Sequence, residues 1–321
     1  MLVTAGDPAR RTGGNLYNRR MLAALRRTGV RVTTVVLRDR GDAARLGELR
    51  ARLVLVDTIA ALLAAGRLRG LRLRGSEVVA LAHMRLGALR LARQADRVIA
   101  VSRSLADALA AGGIDRRRIV VVPPGRDAIA GTATKRGRAV LCVGNWTPAK
   151  GIHTLVRAAA RLPGVSLDLV GDAPDATYAA RVRRAIAASG IAPRVRVHGA
   201  LGRAALARRY AAAGIFALPS TREGYPIVFA EALAHGLPVV GCDIPAVREV
   251  TDGAAILVPP GRVRPLAAAL ARLATDERSR ELFARRSRLR ARRLPTWAAS
   301  EARFVRAVSA AEPVGRRSRG R

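Results

Sequence analysis

Short apolar runs rich in β-branched residues alternate with longer stretches of alanine, leucine and arginine along most of the chain. The longer stretches repeat their apolar residues at helical spacing. Strands that alternate with helices predict βαβ units, in which helices cover both faces of a parallel sheet. The predicted strands are Leu2–Ala5, Val30–Leu37, Leu53–Val56, Val78–Ala82, Val98–Val101, Ile119–Val122, Ala139–Val143, Ser166–Val170, Val195–His198, Ile215–Leu218, Pro238–Gly241 and Ile256–Val258.

The alternation breaks at a Pro-Pro-Gly sequence at positions 123–125 and then starts again. We therefore predict an α/β protein with two Rossmann-like, doubly wound domains that face each other across a cleft. The domains are residues 1–128 and 138–294, joined by a linker at 129–137 and followed by a C-terminal helix and basic tail at 295–321. Ligands of such sheets bind at the carboxyl ends of the strands. Helices of the second domain are predicted at about 151–162, 175–189, 203–213 and 262–274.

Two glutamates stand on either side of a predicted helix start in the second domain. Pro226 suits the first position of this helix, because proline has no N–H to lose and its φ is already helical. Gly236 predicts the end of the helix. The unpaired N–H groups at the helix start and the positive end of the helix dipole favour an anion. With Glu223 before this start and Glu231 beyond its first turn, the segment predicts a ligand that carries both phosphate and hydroxyl groups.

This segment resembles the signature of the retaining nucleotide-sugar glycosyltransferases of family 4, which have the GT-B fold. That signature is Glu-x7-Glu followed by Ala-x-Ala-x-Gly-x-Pro-Val-Val, and residues 223–240 match it. The resemblance implies that Glu223 approaches the donor sugar as a catalytic residue and that Glu231 hydrogen-bonds the ribose hydroxyls. It further implies that the intervening backbone faces the donor sugar and phosphate, at Gly224, Tyr225, Pro226, Ile227 and Val228.

A second motif lies in the loop after the first strand of the second domain, at residues 143–151. In the family, an arginine and a lysine of this loop neutralise the leaving diphosphate. Lys150 matches the lysine, so the resemblance implies a catalytic and donor-binding role for it. Asn145 stands where the family has the arginine, and it can donate a hydrogen bond to the donor without contributing a positive charge. Arg126 or another basic residue could supply that charge.

Two features of the first domain complete the candidate site. Gly13 and Gly14 follow the first strand, where glycine permits a positive φ and a close approach of the backbone to a ligand. His83 follows the strand Val78–Ala82 at the end where open α/β sheets contact ligands. By resemblance, the glycine loop lies beside the donor phosphates and the acceptor, and His83 lies close to the reacting centre. A lone histidine is also commonly a structural residue.

The net charge of +35 raises the question of an anionic partner. Only Lys135 and Lys150 are lysines among 58 basic residues, so a GC-rich coding sequence that favours arginine explains part of the charge. Aromatic residues make up 3% of the chain and do not interleave with the arginines, so we expect no nucleic-acid partner. Anionic lipid headgroups are the other candidate, through weak contact with the arginine-rich residues 276–306.

The sequence has no Asp-x-Asp metal motif, no Cys/His cluster at ligand spacing and no P-loop. We therefore expect no metal and no cofactor, and a nucleoside diphosphate sugar as the donor substrate. Cys142 and Cys242 make no disulfide framework, and the chain shows neither a bilayer-spanning run nor a signal peptide. These observations predict a cytoplasmic protein, at most peripheral at the inner face of the membrane.

The motifs together predict a retaining, metal-independent glycosyltransferase. It would move a hexose from a nucleoside diphosphate sugar to an acceptor hydroxyl of a glycolipid, a polysaccharide or a small-molecule glycoside. Two other functions stay open, a non-catalytic sugar-nucleotide-binding or scaffold protein and a sugar-nucleotide epimerase of the same fold. The first domain is short for the family, so either the start codon is misplaced or the acceptor side is trimmed.

Overall fold

The computed structural model describes residues 1–127 and 138–310. The chain forms two compact units. Unit 1 comprises Met1–Gly125 together with the chain from Thr296, and unit 2 comprises Arg126–Pro295. The predicted linker at 129–137 and the part of the predicted basic tail beyond residue 310 lie outside the described residues.

Unit 1 is built on a parallel sheet of six strands, β1 (Leu2–Ala5), β2 (Thr34–Leu37), β3 (Leu53–Asp57), β4 (Glu77–Ala82), β5 (Arg97–Ala100) and β6 (Ile119–Val121). The order in the sheet is β2-β1-β3-β4-β5-β6, and all neighbours run parallel. The strands are connected through α1 (Gly13–Arg27), α2 (Arg40–Ala44), α3 (Ala61–Ala64), α4 (Leu68–Leu73), α5 (Arg85–Ala92) and α6 (Arg103–Ala111).

Unit 2 repeats this plan with β7 (Ala139–Val143), β8 (Ser166–Val170), β9 (Val195–Gly199), β10 (Ile215–Leu218), β11 (Val239–Cys242) and β12 (Ala255–Val258). The order is β12-β11-β10-β7-β8-β9, again with all neighbours parallel. Its helices are α7 (Ile152–Ala159), α8 (Ala176–Ala188), α9 (Arg203–Ala212), α10 (Ile227–Ala234), α11 (Pro245–Thr251), α12 (Val263–Thr275) and α13 (Glu277–Arg293).

All twelve predicted strands are present, and the four predicted helices of the second domain lie within a few residues of their predicted bounds. The largest difference is β2, which begins at Thr34 and not at Val30. Its partner β1 has only four residues, and they pair with Thr34–Leu37. Val30 is 49% exposed, so β-branched composition alone did not make that residue part of the sheet. Both cysteines are buried and free, as expected.

The last helix, α14 (Trp297–Ser309), belongs to unit 1. Phe304 is fully buried, and its ring meets the ring of Tyr17 edge-on at 6.1 Å. Arg97 donates from its guanidinium to the carbonyl oxygen of Val308 at 3.3 Å. The helix is therefore part of the core of unit 1. No helix within residues 1–127 and 138–310 combines the length and the apolar character that a bilayer crossing needs.

We expect Phe304→Ala to destabilise the protein by about 3–5 kcal/mol, because the change removes a buried ring and leaves a cavity against Tyr17. Thermal or urea unfolding measures the loss. Arg303→Ala is the matched control. Arg303 is an exposed neighbour on the same helix, so its replacement should change the free energy of unfolding little. Equal stability of the two variants would show that the Phe304 ring contributes nothing to the core.

Candidate active site

A chain of buried polar side chains lies at the carboxyl ends of β3 and β4 in unit 1. His83 directly follows β4, and its Nε2 lies 2.9 Å from Asn18 Oδ1. Asn18 donates from Nδ2 to the carboxylate of Asp57, the last residue of β3. The backbone N–H of His83 donates to Thr58 Oγ1 at 3.2 Å. His83 and its three partners are each at most 9% exposed, so the imidazole is held in place by buried hydrogen bonds.

This chain of hydrogen bonds fixes the tautomer of His83. The carboxylate of Asp57 only accepts, so the amide nitrogen of Asn18 faces it and the amide oxygen faces the histidine. Nε2 of His83 then carries the hydrogen, and Nδ1 is left as an acceptor. Burial lowers the pKa of His83, although the charge of Asp57 acts in the opposite direction. The ring is therefore neutral at pH 7.

The glycine loop lies next to this histidine. Helix α1 begins at Gly13, and its cap is Thr12, whose side chain accepts from the backbone N–H of Asn15 at 3.1 Å. A Cβ at Gly14 would lie 3.7 Å from the ring of His83. Neither Gly13 nor Gly14 has a positive φ, so the predicted special backbone conformation is absent at both, and Gly14 lies beside the ring.

In unit 2, Lys150 and Glu223 form an ion pair with 2.6 Å between Nζ and Oε1. The lysine ends a short turn that is followed by Gly151, whose φ is +64°. A Cβ at Gly151 would lie 2.4 Å from the carbonyl oxygen of Pro219, so only glycine allows this approach. The backbone N–H of Thr221 also donates to the carbonyl of Ala149 at 2.8 Å. Backbone contacts thus bring two segments distant in sequence together at this pair.

The start of α10 differs from the prediction. The helix begins at Ile227, and Pro226 precedes its first position with a ψ of 83°, which is not helical. The prediction that Pro226 occupies the first helical position is therefore wrong. No side chain caps this start, whereas α6 and α8 are capped by Ser102 and Asp175. The backbone N–H of Ile227 already donates to the carbonyl oxygen of Tyr225 at 3.0 Å, so what this uncapped start offers an anion is the positive end of the helix dipole.

Glu231 lies one turn into α10. Its Oε2 accepts a hydrogen bond from the hydroxyl of Tyr210 at 2.8 Å. Burial raises the pKa of the Glu231 carboxyl to about 7, although the hydrogen bond from Tyr210 acts to lower it. The Glu231 carboxylate is thus held where its charge is costly.

Asn145, which stands where the family has an arginine, makes a hydrogen bond within unit 2. Its Oδ1 accepts from the backbone N–H of Asp172 at 3.2 Å, which ties the loop after β7 to the loop after β8. Arg126 donates from Nε to the carbonyl of Ala291 at 2.5 Å, so this candidate for the missing charge is engaged with another part of unit 2. Lys150 is the basic residue that the structure shows beside Glu223.

The predicted residues therefore fall into two groups, one in unit 1 and one in unit 2, and the structure adds three residues that support them. Asn18 and Asp57 support His83, and Tyr210 supports Glu231. Asp57 could have been found by the rule that identified His83, because it also ends a strand of the sheet. Asn18 and Tyr210 lie within helices and carry no such signal. In the described parts of the chain, no group of three or more His, Cys, Asp or Glu side chains is placed to hold a metal ion.

Two family models match the chain. Residues 46–128 match Glycosyltransferase Family 4, and residues 137–276 match Glycosyl transferases group 1. D-inositol 3-phosphate glycosyltransferase of Xylanimonas cellulosilytica is 34% identical over 186 residues, which is 51% of this chain and 45% of that protein. MMP α-(1→4)-mannosyltransferase of Mycolicibacterium hassiacum is 31% identical over 227 residues, 67% of this chain and 54% of that protein. The chain thus spans about half the length of the curated relatives that it matches.

Solved structures share the fold over nearly the whole chain. Anabaena HepE in complex with UDP-glucose superposes with a TM-score of 0.79 at 20% identity, covering 97% of this chain and 100% of that one. Sucrose-phosphate synthase from Thermosynechococcus elongatus gives a TM-score of 0.79 at 20% identity, with 97% and 99% covered. At this level of identity the likeness concerns the fold, and it confirms the predicted GT-B class of two doubly wound parallel sheets.

We expect Glu231→Gln to stabilise the protein at alkaline pH. The pKa of Glu231 is raised in the folded state from 4.5 to about 7, so folding is penalised once the carboxyl ionises. This penalty is absent below pH 4.5, grows as the pH rises and is complete above about pH 7. Since glutamine does not ionise, the variant should gain on the order of 2 kcal/mol over wild type at about pH 8 relative to about pH 5. Thermal unfolding at both pH values measures this, and a difference independent of pH would contradict it.

Proposed function

We infer that this chain, which belongs to the group 1 glycosyltransferases of the GT-B fold, transfers a hexose from a nucleoside diphosphate sugar to an acceptor hydroxyl. The observation that carries the proposal is the ion pair of Lys150 and Glu223 just before the uncapped start of α10. It joins one cation, one carboxylate and one helix N-terminus, which suit a ligand with a diphosphate and a sugar.

The diphosphate is proposed to bind at Lys150 and beside the N-terminus of α10. An ammonium group has three N–H donors, so Lys150 can keep its contact with Glu223 and still donate to a phosphate oxygen. The helix N-terminus adds partial positive charge without a side chain. Because these groups stand where charge develops on the leaving group, we propose that the transfer needs no metal ion. Asn145 contributes no charge to this arrangement.

Glu231 is proposed to accept hydrogen bonds from the ribose hydroxyls, and Glu223 to orient the donor sugar. The ion pair with Lys150 fixes the Glu223 carboxylate, which is only 9% exposed. Backbone groups from Gly224 to Val228 are proposed to face the sugar and phosphate. In unit 1, Gly13, Gly14 and the neutral His83 are proposed to align the acceptor hydroxyl, with Nδ1 of His83 as an available acceptor.

The bond that breaks joins the anomeric carbon to the diphosphate oxygen. The acceptor oxygen bonds to the anomeric carbon on the same face, so the configuration is retained, and the hydroxyl proton leaves with the diphosphate. Stabilising the leaving group and aligning the acceptor are the two contributions that the protein then makes. We propose this retaining route from the family resemblance of the Glu-x7-Glu segment.

The acceptor is a hydroxyl of a small polyol or glycoside, a polysaccharide or a glycolipid. The named activities of the relatives, on D-inositol 3-phosphate and in mannosyl transfer, support testing small hydroxylated acceptors first. The UDP-glucose complex of HepE supports testing UDP-linked hexoses first as donors.

The first test is thermal shift of the purified chain with UDP- and GDP-linked hexoses, followed by nucleoside diphosphate release with and without acceptors. We expect one of the donors to raise Tm and to release its nucleoside diphosphate when an acceptor is present. Lys150→Ala should then lower turnover about 100-fold, because a charge that stabilises the leaving group is lost. Arg157→Ala, which removes an exposed charge from the neighbouring helix α7, should leave turnover near wild type.

Two outcomes would contradict the transferase proposal, and a third would contradict only the role of Lys150. Donor binding without release of nucleoside diphosphate, with every acceptor tested, would identify a sugar-nucleotide-binding or scaffold protein. Conversion of the donor sugar without acceptor would identify an epimerase. Equal turnover of Lys150→Ala and wild type would remove Lys150 from the leaving-group site.

We also propose a weak peripheral contact with anionic lipid, at the inner face of the membrane, through α13. Leu282 and Leu289 are 39% and 49% exposed and lie seven residues apart on this helix. Seven residues are about two helical turns, so the two leucines share a face. Exposed arginines lie next to that face, at Arg285, Arg286, Arg292 and Arg293. A face that combines apolar and basic side chains suits the headgroup region of a bilayer.

Changing these four arginines to glutamine should abolish binding to phosphatidylserine-containing vesicles at low salt, because each arginine contributes about 1 kcal/mol near an anionic surface. Vesicle co-sedimentation measures this. The matched control removes four exposed arginines elsewhere in unit 2, at Arg181, Arg183, Arg184 and Arg208. Absence of binding in wild type, or an equal loss in both variants, would refute a specific contact through α13.

A further inference from the structure

Tyr210 connects two parts of the proposed donor site from a different helix. It lies on α9 and is 1% exposed. Its hydroxyl lies 2.8 Å from Glu231 Oε2 and 3.3 Å from the carbonyl oxygen of Val228. One phenol group therefore contacts both the carboxylate and the first turn of α10.

The ring of Tyr210 is held on both sides. It stacks on the imidazole of His235 with 5.0 Å between ring centres and 11° between the planes. Its other neighbour is Phe216 of β10, which is fully buried, at 6.1 Å. A ring packed in this way loses little further freedom when a ligand binds, so its hydroxyl is a fixed donor.

We propose that Tyr210 is a positioning residue for the donor, which favours the ionised form of Glu231 and orients the carboxylate so that its second oxygen accepts from the vicinal hydroxyls of the ribose. The proposal rests on the transferase function inferred above. The phenol has one hydrogen, and the carboxylate is its stronger acceptor. In the described residues, no hydrogen bond reaches Oε1 of Glu231, so that oxygen remains for the ligand.

The charge of Glu231 depends on few neighbours. Burial opposes ionisation most strongly, and the hydrogen bond from Tyr210 is the largest effect in its favour. Asp127 also opposes ionisation, and Arg203 of α9 favours it. These two partly cancel, because Arg203 and Asp127 pair with each other at 3.2 Å. His235 is a further titratable group beside Tyr210, and its ring stacks on the tyrosine ring.

The test is the pH dependence of donor affinity in Tyr210→Phe, measured with the donor identified by the thermal-shift panel. Phenylalanine keeps the ring and removes the hydroxyl. We expect donor Kd at about pH 7 to rise roughly ten- to hundredfold, the range of a lost hydrogen bond to a charged group. The pH midpoint of binding should move upward from about 7, so that affinity recovers at alkaline pH. At saturating donor, kcat should stay near wild type.

Tyr178→Phe is the matched control. Tyr178 is a buried tyrosine of the same unit whose hydroxyl bonds Nδ1 of His153 at 2.9 Å and takes no part in the proposed site. It should lose stability without a change in the pH midpoint of donor binding. An unchanged midpoint in Tyr210→Phe, or an equal shift in Tyr178→Phe, would overturn the proposal.

A second variant tests the proposal if Tyr210→Phe does not fold. His235→Ala keeps the hydroxyl and removes the stacking partner, so it should weaken donor binding by a smaller factor with a midpoint shift in the same direction. No shift in that variant would count against the proposal. Failure of the transferase function is distinguishable, because wild type would then bind no donor or would not transfer its sugar.

Discussion

The geometry of unit 2 depends on two places where backbones touch without room for a side chain. A Cβ at Gly151 would lie 2.4 Å from the carbonyl oxygen of Pro219, and one at Gly171 would lie 2.1 Å from that of Gly144. Both glycines have positive φ. These approaches join loops that follow β7, β8 and β10, and parallel strands place all three loops at one edge of the sheet. The side chains of Lys150 and Glu223 meet because backbone groups of neighbouring residues in the two loops are already in contact.

In both groups of candidate residues, a hydrogen bond from a second polar side chain fixes the orientation of the candidate residue. His83 is held by Asn18, and Glu231 is held by Tyr210. In each case burial disfavours the charged form, so it keeps the histidine neutral and brings the carboxyl close to its titration at neutral pH. The supporting residue decides which ring nitrogen or carboxylate oxygen is left for a ligand.

The sequence predicted the fold well because periodicity and β-branched runs report local structure directly. The predictions were wrong where an element's bounds depend on the elements that pack or pair with it. The start of β2 is an example, because its partner β1 has only four residues to pair with. Residues at strand ends and in a dense motif, such as His83 and Glu223, could be named. Tyr210 could not, because its contact depends on how α9 packs against α10 and leaves no trace in local spacing. The start of α10 was misplaced because proline fixes φ and leaves ψ free.

The assignment of α14 to unit 1 has a consequence for synthesis on the ribosome. Unit 2 is continuous in sequence, whereas unit 1 consists of Met1–Gly125 and a segment that begins only at Thr296. Phe304 packs against Tyr17, which was translated long before. Unit 2 can therefore finish folding as its chain emerges, while unit 1, although translated first, must wait with an open hydrophobic face. Chaperone dependence during biogenesis would accordingly concentrate on the unit that is made first.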